Sequence, residues 1–265
     1  MSFYEQGKEY LHKGQYRKAL DYFSLSLKRK IEVTNSYFHR GLCQYHMKQY
    51  TDAIQDFDKA LADQPDNVDF LFYKAMALYN RFNPTNANEI LDQIIALKPD
   101  HYVAIHQKAF IQMNLKKFDE AIALFNQALE LKPDYESCFH NRAFCYDQLK
   151  DYDKAIADYT KVIELQPHFL SYYNRANTYV LLKEFDKALA DYEESLKINP
   201  NYFLTHYSKG VILEDQGKIE EAIQCFQIAL YLNNEFDLAR HKLAYYAQLM
   251  QEAQVNSSEE QIEEK

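Results

Sequence analysis

Six basic side chains recur at a nearly constant spacing along this 265-residue chain, and they are the residues best placed to do chemistry. They are Arg40, Lys74, Lys108, Arg142, Arg175 and Lys209. Such a column could bind an anion, or each member could pair with a carboxylate. Wherever the basic residue is Arg, the residue sixteen positions later is Asp, and wherever it is Lys that residue is apolar. The Arg pairs are Arg40 with Asp56, Arg142 with Asp158, and Arg175 with Asp191. This sorting favours structural ion pairs, and an anion-binding column is the alternative.

The other reactive residues form no motif typical of catalysis or metal binding. The nine histidines include no H-x-x-x-H pair, and the four cysteines include no C-x-x-C pair. No phosphate-binding glycine loop and no nucleophile elbow occurs. We therefore predict a chain that is not an enzyme and holds neither cofactor nor metal. We expect the cysteines to be buried thiols in a reducing compartment.

The elements that position the basic column follow a period of about 34 residues. Five prolines share one slot of the period: Pro65, Pro99, Pro133, Pro167 and Pro200. A small residue follows each basic residue directly, and an alanine stands twelve positions after that small residue. A bulky side chain comes four residues later: Phe23, Phe57, Leu91, Phe125, Tyr159, Tyr192 and Phe226. Paired small slots mark the closest approach of two helices, and proline ends the second helix. Each copy is therefore predicted to be a hairpin of helix A and helix B.

Composition limits the partners. The net charge of -9 disfavours nucleic acid and anionic membranes, which attract clustered Lys and Arg. No apolar stretch approaches the roughly 18 residues of a membrane span, and the first residues lack the apolar run of a signal peptide. We expect a cytoplasmic protein that binds neither nucleic acid nor membrane.

All of these slots occur together in YYNRANTYVLLKEFDKALADYEESLKINP at residues 172–200, which resembles the tetratricopeptide repeat (TPR) family. The resemblance covers seven copies, although the tryptophan frequent early in helix A of the family is absent. It implies an all-α fold, a right-handed α-solenoid of antiparallel helical hairpins with a C-terminal capping helix. The predicted hairpins are at about 1–33, 34–67, 68–101, 102–135, 136–168, 169–202 and 203–236. A capping helix is predicted at 237–254 and a disordered acidic tail at 255–265.

The resemblance also implies a binding surface, because helix A lines the concave groove in which TPR proteins bind peptides or short helices. One set of groove positions lies two residues before the basic column: Phe38, Phe72, His106, His140, Tyr173 and Tyr207. A second set lies two residues after it: Leu42, Met76, Phe110, Phe144, Asn177 and Val211. Asn141 and Asn174 suit the holding of a peptide backbone. The alternative is that the rings only pack against neighbouring helices.

We therefore predict a protein-protein interaction scaffold or adaptor that binds a peptide or helix of a partner protein. Alternatives are a co-chaperone that binds Hsp70 or Hsp90 tails and a regulatory subunit of a larger enzyme complex. Self-association into a homo-oligomer is left open. The family's carboxylate clamp needs Lys and Asn four residues apart on helix A, and no copy has this pair in the groove. Its absence disfavours the co-chaperone.

Three places depart from the pattern. The turn that joins the fifth and sixth copies is one residue shorter than elsewhere, because Ala176 stands nine positions after Pro167 instead of ten, and we expect a local change in superhelical pitch there. The third copy has RFNP at residues 81–84, where other copies have a Lys or Gly turn followed by a bulky side chain, almost always an aromatic ring. We expect Phe82 to replace the missing ring, Asn83 to cap helix B, and Pro84 to lie in its first turn. After the seventh copy, Ala244 falls in the small slot. We expect it to cover the last copy together with Leu238 and Leu243.

Overall fold

The computed structural model describes the backbone of residues 1–263 and the side chains of residues 1–253. This part of the chain is all-α, as predicted, and residues 1–263 contain fifteen helices and no strand. The helices are α1 (Phe3–His12), α2 (Tyr16–Lys28), α3 (Val33–His46), α4 (Tyr50–Asp63), α5 (Val68–Asn80), α6 (Pro84–Leu97), α7 (Tyr102–Asn114), α8 (Phe118–Leu131), α9 (Glu136–Gln148), α10 (Tyr152–Leu165), α11 (Phe169–Leu181), α12 (Phe185–Ile198), α13 (Phe203–Asp215), α14 (Ile219–Leu232) and α15 (Asp237–Glu263).

The helices form two compact units. Unit 1 comprises residues 1–138, and unit 2 comprises residues 139–265. Within each unit, a helix A packs against the helix B that follows it, and each helix B packs against the next helix A. Each unit is therefore a stack of helical hairpins, as expected of an α-solenoid.

The turn inside each hairpin needs one residue with a left-handed backbone. Its φ lies between 60° and 76° at Gly14, Lys48, Phe82, Lys116, Lys150, Lys183 and Gly217. Glycine adopts this region freely, whereas any other residue carries some strain. This requirement explains why Lys or Gly recurs at the slot, and it makes Phe82 the exception.

Inside each hairpin, a small residue of helix A faces a large side chain of helix B. A Cβ atom added to Gly41 would lie 2.7 Å from Cε1 of Phe57, and one added to Gly210 would lie equally close to Phe226. Both rings are fully buried. The small slots and the large rings thus interlock to form the core of each hairpin.

The third copy differs from its prediction at one residue. Asn83 caps α6 by accepting a hydrogen bond from the amide of Asn86, and Pro84 begins the helix, as predicted. Phe82, however, is 94% exposed, so the expectation that it replaces the missing ring is wrong. The reason is its place in the left-handed turn, where the lysines of the other copies are also exposed.

The capping helix α15 packs on the last hairpin through Ala239, Leu243 and Tyr246, which join the cluster around Phe226. It is also tied to α13, because Glu214 accepts hydrogen bonds of 2.5 Å from both the Tyr246 hydroxyl and Lys242 Nζ. The backbone is helical as far as Glu263. The side chains of the predicted tail at 255–265 lie outside the described residues, and residues 264 and 265 lie outside them entirely. The disorder of this tail stays a prediction.

The prediction that Leu238 and Ala244 cover the last copy is wrong, because both side chains are exposed. The small slot exists to receive a ring from helix B of the same hairpin, as Gly210 receives Phe226. Within residues 1–263, no helix B follows the cap. Ala244 therefore faces solvent, while Leu243 packs as predicted.

Candidate partner-binding surface

In unit 1, the first set of predicted groove residues packs between helices. The ring centroid of Phe38 lies 4.4 Å from that of Phe70 and 5.9 Å from that of Phe57. The ring of His106 lies 4.9 Å from that of Tyr135. Phe70 comes from the first turn of the next hairpin, and Tyr135 comes from the turn just before α9. A ring from further along the chain thus covers each of them, which is the packing role that the sequence left open.

This packing corrects the prediction for three groove residues. Phe38 and Met76 are each 8% exposed, and His106 is 5% exposed. Side chains buried to this extent offer almost no surface to a partner. Burial also lowers the pKa of His106 to about 4, so its imidazole is neutral at physiological pH.

The other rings of the first set stay half-buried. They are Phe72, His140, Tyr173 and Tyr207. In unit 2, the ring of Tyr173 lies 5.2 Å from that of Tyr202, and the ring of Tyr207 lies 5.0 Å from that of Phe236. Both contacts are edge-on, an arrangement that stabilises aromatic pairs. These rings pack against their neighbours and leave part of their surface accessible.

The second set is more open, especially in unit 2. Phe144 is 42% exposed, while Asn177 and Val211 are half-buried. These three residues hold the same slot on α9, α11 and α13, the successive A helices of the unit. In unit 1, Leu42 and Phe110 are half-buried in that slot. Unit 2 therefore presents an exposed ring in one row with an amide and an aliphatic side chain.

Polar groups hold the rings and amides of unit 2 in place. The hydroxyl of Tyr192 donates a hydrogen bond of 2.5 Å to Oδ1 of Asn177. Asn141 and Asn174, the other two predicted amides, are half-buried on α9 and α11. The fixed orientation of Asn177 turns its carbonyl oxygen toward Tyr192.

A carboxylate that the sequence analysis missed lies near this row. Asp147 Oδ2 accepts a hydrogen bond of 3.0 Å from the Tyr159 hydroxyl, and Oδ1 accepts one of 2.9 Å from Thr178 Oγ1. Burial raises the pKa of Asp147 above its ordinary value, and the two hydroxyl donors partly oppose that rise. The signal in the sequence was a carboxylate at the slot that holds Tyr45 and Tyr79 in earlier copies.

In unit 1, that slot forms hydrogen bonds between successive A helices. Nδ2 of Asn80 donates to the hydroxyl of Tyr45 at 3.2 Å, and Nδ2 of Asn114 donates to the hydroxyl of Tyr79 at 2.8 Å. Each asparagine also donates to the carbonyl four residues before it. These bonds link α3 to α5 and α5 to α7 along one edge of the unit.

The arginines of the basic column form ion pairs within their own hairpins. Arg40 donates through Nε and Nη2 to both oxygens of Asp56, at 2.6 and 2.8 Å. Arg142 and Asp158 form the same two-pronged pair at 2.7 Å, as do Arg175 and Asp191. The fork of the guanidinium matches the two carboxylate oxygens, which is why the slot pairs Arg with Asp.

The lysines of the column pair in the opposite direction, with the hairpin before them. Nζ of Lys74 lies 2.7 Å from Asp58, and Nζ of Lys209 lies 3.1 Å from Glu193. Lys108 pairs with Asp92 in the same way. Each carboxylate stands sixteen residues before its lysine, a signal that was present in the sequence and went unread. All six basic side chains of the column are therefore paired with carboxylates, which argues against an open anion-binding site.

Residues 1–253 contain no cluster of His, Cys, Asp or Glu that could hold a metal ion. The four cysteines are free thiols. Burial raises the pKa values of Cys43 and Cys145 to about 12, so neither thiol is reactive at neutral pH. Within the described part of the chain, no helix is both long enough and apolar enough to span a bilayer.

Stacked helical hairpins with interlocking small and large residues define the class of α-helical repeat proteins. A Tetratricopeptide repeat model matches residues 34–67, 137–169, 170–202 and 203–236, and a second Tetratricopeptide repeat model matches residues 78–141. The chain belongs to the tetratricopeptide repeat family. Among the curated proteins no relative of the chain is found.

Solved structures of low sequence identity share the fold. The C-terminal part of a TPR repeat-containing protein from Cytophaga hutchinsonii is 17% identical, with a TM-score of 0.75 over 91% of this chain and 99% of that one. A tetratricopeptide repeat protein from Parabacteroides merdae is 17% identical, with a TM-score of 0.68 over 91% and 96%. YrrB, described as a TPR protein with an unusual peptide-binding site, is 17% identical, with a TM-score of 0.59 over 70% and 96%.

Proposed function

We propose that this chain is a non-catalytic scaffold or adaptor that binds a peptide or helix of a partner protein on the A helices of unit 2. TPR repeats in general serve as scaffolds for protein-protein interaction. One observation carries the proposal for this chain: Phe144, Asn177 and Val211 share a slot on three successive A helices, and Phe144 is 42% exposed. An exposed ring beside an amide and an aliphatic side chain suits a peptide with one apolar anchor.

Two further features support this proposal. The half-buried rings of Tyr173 and Tyr207 are held by edge-on contacts, so the surface loses little conformational freedom when a partner binds. The description of YrrB names a peptide-binding site in a protein of similar fold. A reducing compartment such as the cytoplasm fits the four free cysteines. Self-association and a role as a regulatory subunit stay predictions.

The test compares two alanine variants in quantitative affinity purification from cells. Phe144→Ala removes the exposed ring on α9. Tyr231→Ala is the matched control, because Tyr231 is 87% exposed but lies on α14, a helix B. Truncation of a binding anchor weakens affinity by about tenfold or more. We expect recovery of the direct partner to fall by that order with Phe144→Ala and to be unchanged with Tyr231→Ala.

Circular dichroism should show the same helical content and thermal midpoint for both variants, since each removes an exposed ring. Partners recovered equally with both variants would place the binding surface elsewhere. Recovery lost equally with both would indicate an effect unrelated to the A helices.

A further inference from the structure

A cavity of about 420 Å³ lies between the third and fourth hairpins of unit 1, at the turn end of the third. Its apolar wall is formed by Tyr79 of α5, Pro84 of α6, and Ile111 and Leu115 at the end of α7, with Phe82 at its mouth. Cavities of this size accept small ligands and single side chains of peptides. Because Phe82 and Leu115 are exposed, the cavity is reached from solvent.

The cavity is the space of a missing ring. In the other copies, the slot of Pro84 holds Tyr16, Tyr50, Phe118, Tyr152, Phe185 or Ile219. In the second copy, the ring of Tyr50 lies 5.7 Å from that of Tyr45. Tyr79 is the counterpart of Tyr45, and the proline beside it provides no ring to fill this space. Tyr79 instead packs edge-on against Phe110, at 6.1 Å.

The residue that could have filled the space lies at its mouth and does not occupy it. Phe82 is 94% exposed and has a φ of 61°, in a slot where every other copy has Lys or Gly. A bulky ring at such a φ carries backbone strain and leaves apolar surface in water. Neither effect helps folding. The ring instead extends the apolar wall of the cavity outward, where a bound side chain could contact it.

The charges around the mouth favour an anionic ligand. Arg81 lies between the lining residues Asn80 and Phe82 in the chain, Lys116 directly follows Leu115, and both side chains are exposed. Among the side chains of residues 1–253, no carboxylate forms an ion pair with either. The first turn of α6 has no acidic residue, whereas α4 has Asp52 and α8 has Asp119 and Glu120. The positive end of the α6 dipole is therefore not offset by its own side chains.

We infer that this cavity binds an aromatic side chain of a partner peptide that has carboxylates on both sides of the ring. The ring of the ligand takes the place of the ring that the third copy lacks, between Tyr79 and Leu115 and against Phe82. The flanking carboxylates face Arg81, Lys116 and the start of α6. This site lies in unit 1, whereas the surface of the proposed function lies in unit 2. The two proposals share only the idea that the partner is a peptide.

The test uses the full chain with isotope-labelled Ile and Leu methyl groups and the probe peptide acetyl-Ser-Glu-Phe-Glu-Ser-amide. We expect the NMR signals of Ile111 and Leu115 to shift and saturate with this peptide. A peptide with Ala in place of Phe should bind about tenfold or more weakly, because it lacks the ring. A peptide with Lys in place of both Glu residues should also bind more weakly, and the difference should shrink as salt is added.

Pro84→Phe is the decisive variant, because it restores the ring of the family and fills the cavity. We expect it to abolish the methyl shifts and to raise the midpoint of thermal unfolding, which separates a filled cavity from a misfolded chain. Phe82→Lys restores the usual turn residue and should weaken binding without loss of stability. Phe144→Ala should leave binding of this peptide unchanged, so failure of this inference and failure of the proposed function are distinguishable.

Three results would overturn the inference. The first is an absence of shifts at Ile111 and Leu115 with the Phe peptide. The second is undiminished binding to a stably folded Pro84→Phe variant. The third is binding of the Lys-flanked peptide that is as tight as or tighter than binding of the Glu-flanked peptide. That result would show that the cavity does not select a peptide with carboxylates beside the ring.

Discussion

Removal of the Asp191 carboxylate should destabilise the protein far more than removal of Glu193, two residues away on the same helix. Asp191 accepts two hydrogen bonds of 2.7 Å from Arg175. The side chain of Asp191 is 9% exposed and that of Arg175 is 16% exposed. Glu193 pairs with Lys209 at 3.1 Å but is 56% exposed. The two acidic residues therefore test a buried forked pair against an exposed single contact.

The expected magnitudes follow from this geometry. Breaking a buried ion pair costs about 3–5 kcal/mol, because the remaining charge is left buried without a partner. Arg175 keeps a hydrogen bond of 2.8 Å to Thr160 and some contact with water, so Asp191→Ala should cost about 2–3 kcal/mol. An exposed pair contributes about 0–1 kcal/mol, and Glu193→Ala should cost about 0.5 kcal/mol or less.

Equilibrium unfolding in urea, followed by circular dichroism, is the appropriate assay. Urea is uncharged, whereas guanidinium chloride would screen the ion pairs under test. Because a repeat array can unfold in steps, amide hydrogen exchange in α11 and α12 should be measured alongside. Equal losses for Asp191→Ala and Glu193→Ala, or a loss near zero for both, would refute the reasoning from burial and geometry.

Three further outcomes are expected. Because burial lowers the pKa of His106 to about 4, the folded state binds its proton less readily than the unfolded chain. Stability should therefore fall as the pH drops from about 6.5 toward about 4, by up to roughly 3 kcal/mol, and His106→Phe should remove this part of the pH dependence of the urea midpoint. An unchanged profile would contradict this. Because burial raises the pKa of Asp147, its charged form opposes folding, so Asp147→Asn should stabilise the protein at pH 7 and have little effect below about pH 4. A loss of stability at pH 7 would show that the hydroxyl donors outweigh desolvation. Gly41→Ala should lower the thermal midpoint, because the new Cβ would lie 2.7 Å from Phe57 and overpacking costs about 1–3 kcal/mol, more than the roughly 1 kcal/mol of helix propensity gained. A higher midpoint would contradict it.

The lysine pairs show where sequence reasoning stopped short. An Arg and its Asp belong to one hairpin, so a constant separation of sixteen residues is enough to bring them together. The pair of Lys74 and Asp58 has the same separation, but it joins two hairpins. Its formation depends on how closely one hairpin stacks on the next, which no local pattern contains.

The groove residues show the same limit. Phe38 and Phe72 hold the same slot, yet only Phe38 is buried, because Phe70 stacks on it from the next hairpin. Phe82 was expected inside the third hairpin and lies outside it, because the left-handed turn directs it to solvent.

By itself the sequence determined that the chain consists of helical hairpins, that a proline follows the end of helix B in five of them, and which Arg and Asp residues meet. These features depend on residues close together in the chain, and the 34-residue period repeats them in register. Only the tertiary structure decided which rings are buried, that the lysines pair with the preceding hairpin, and that a cavity remains beside Pro84. Those features depend on the fit between side chains of neighbouring hairpins, where one ring present or absent determines what is buried and what is open.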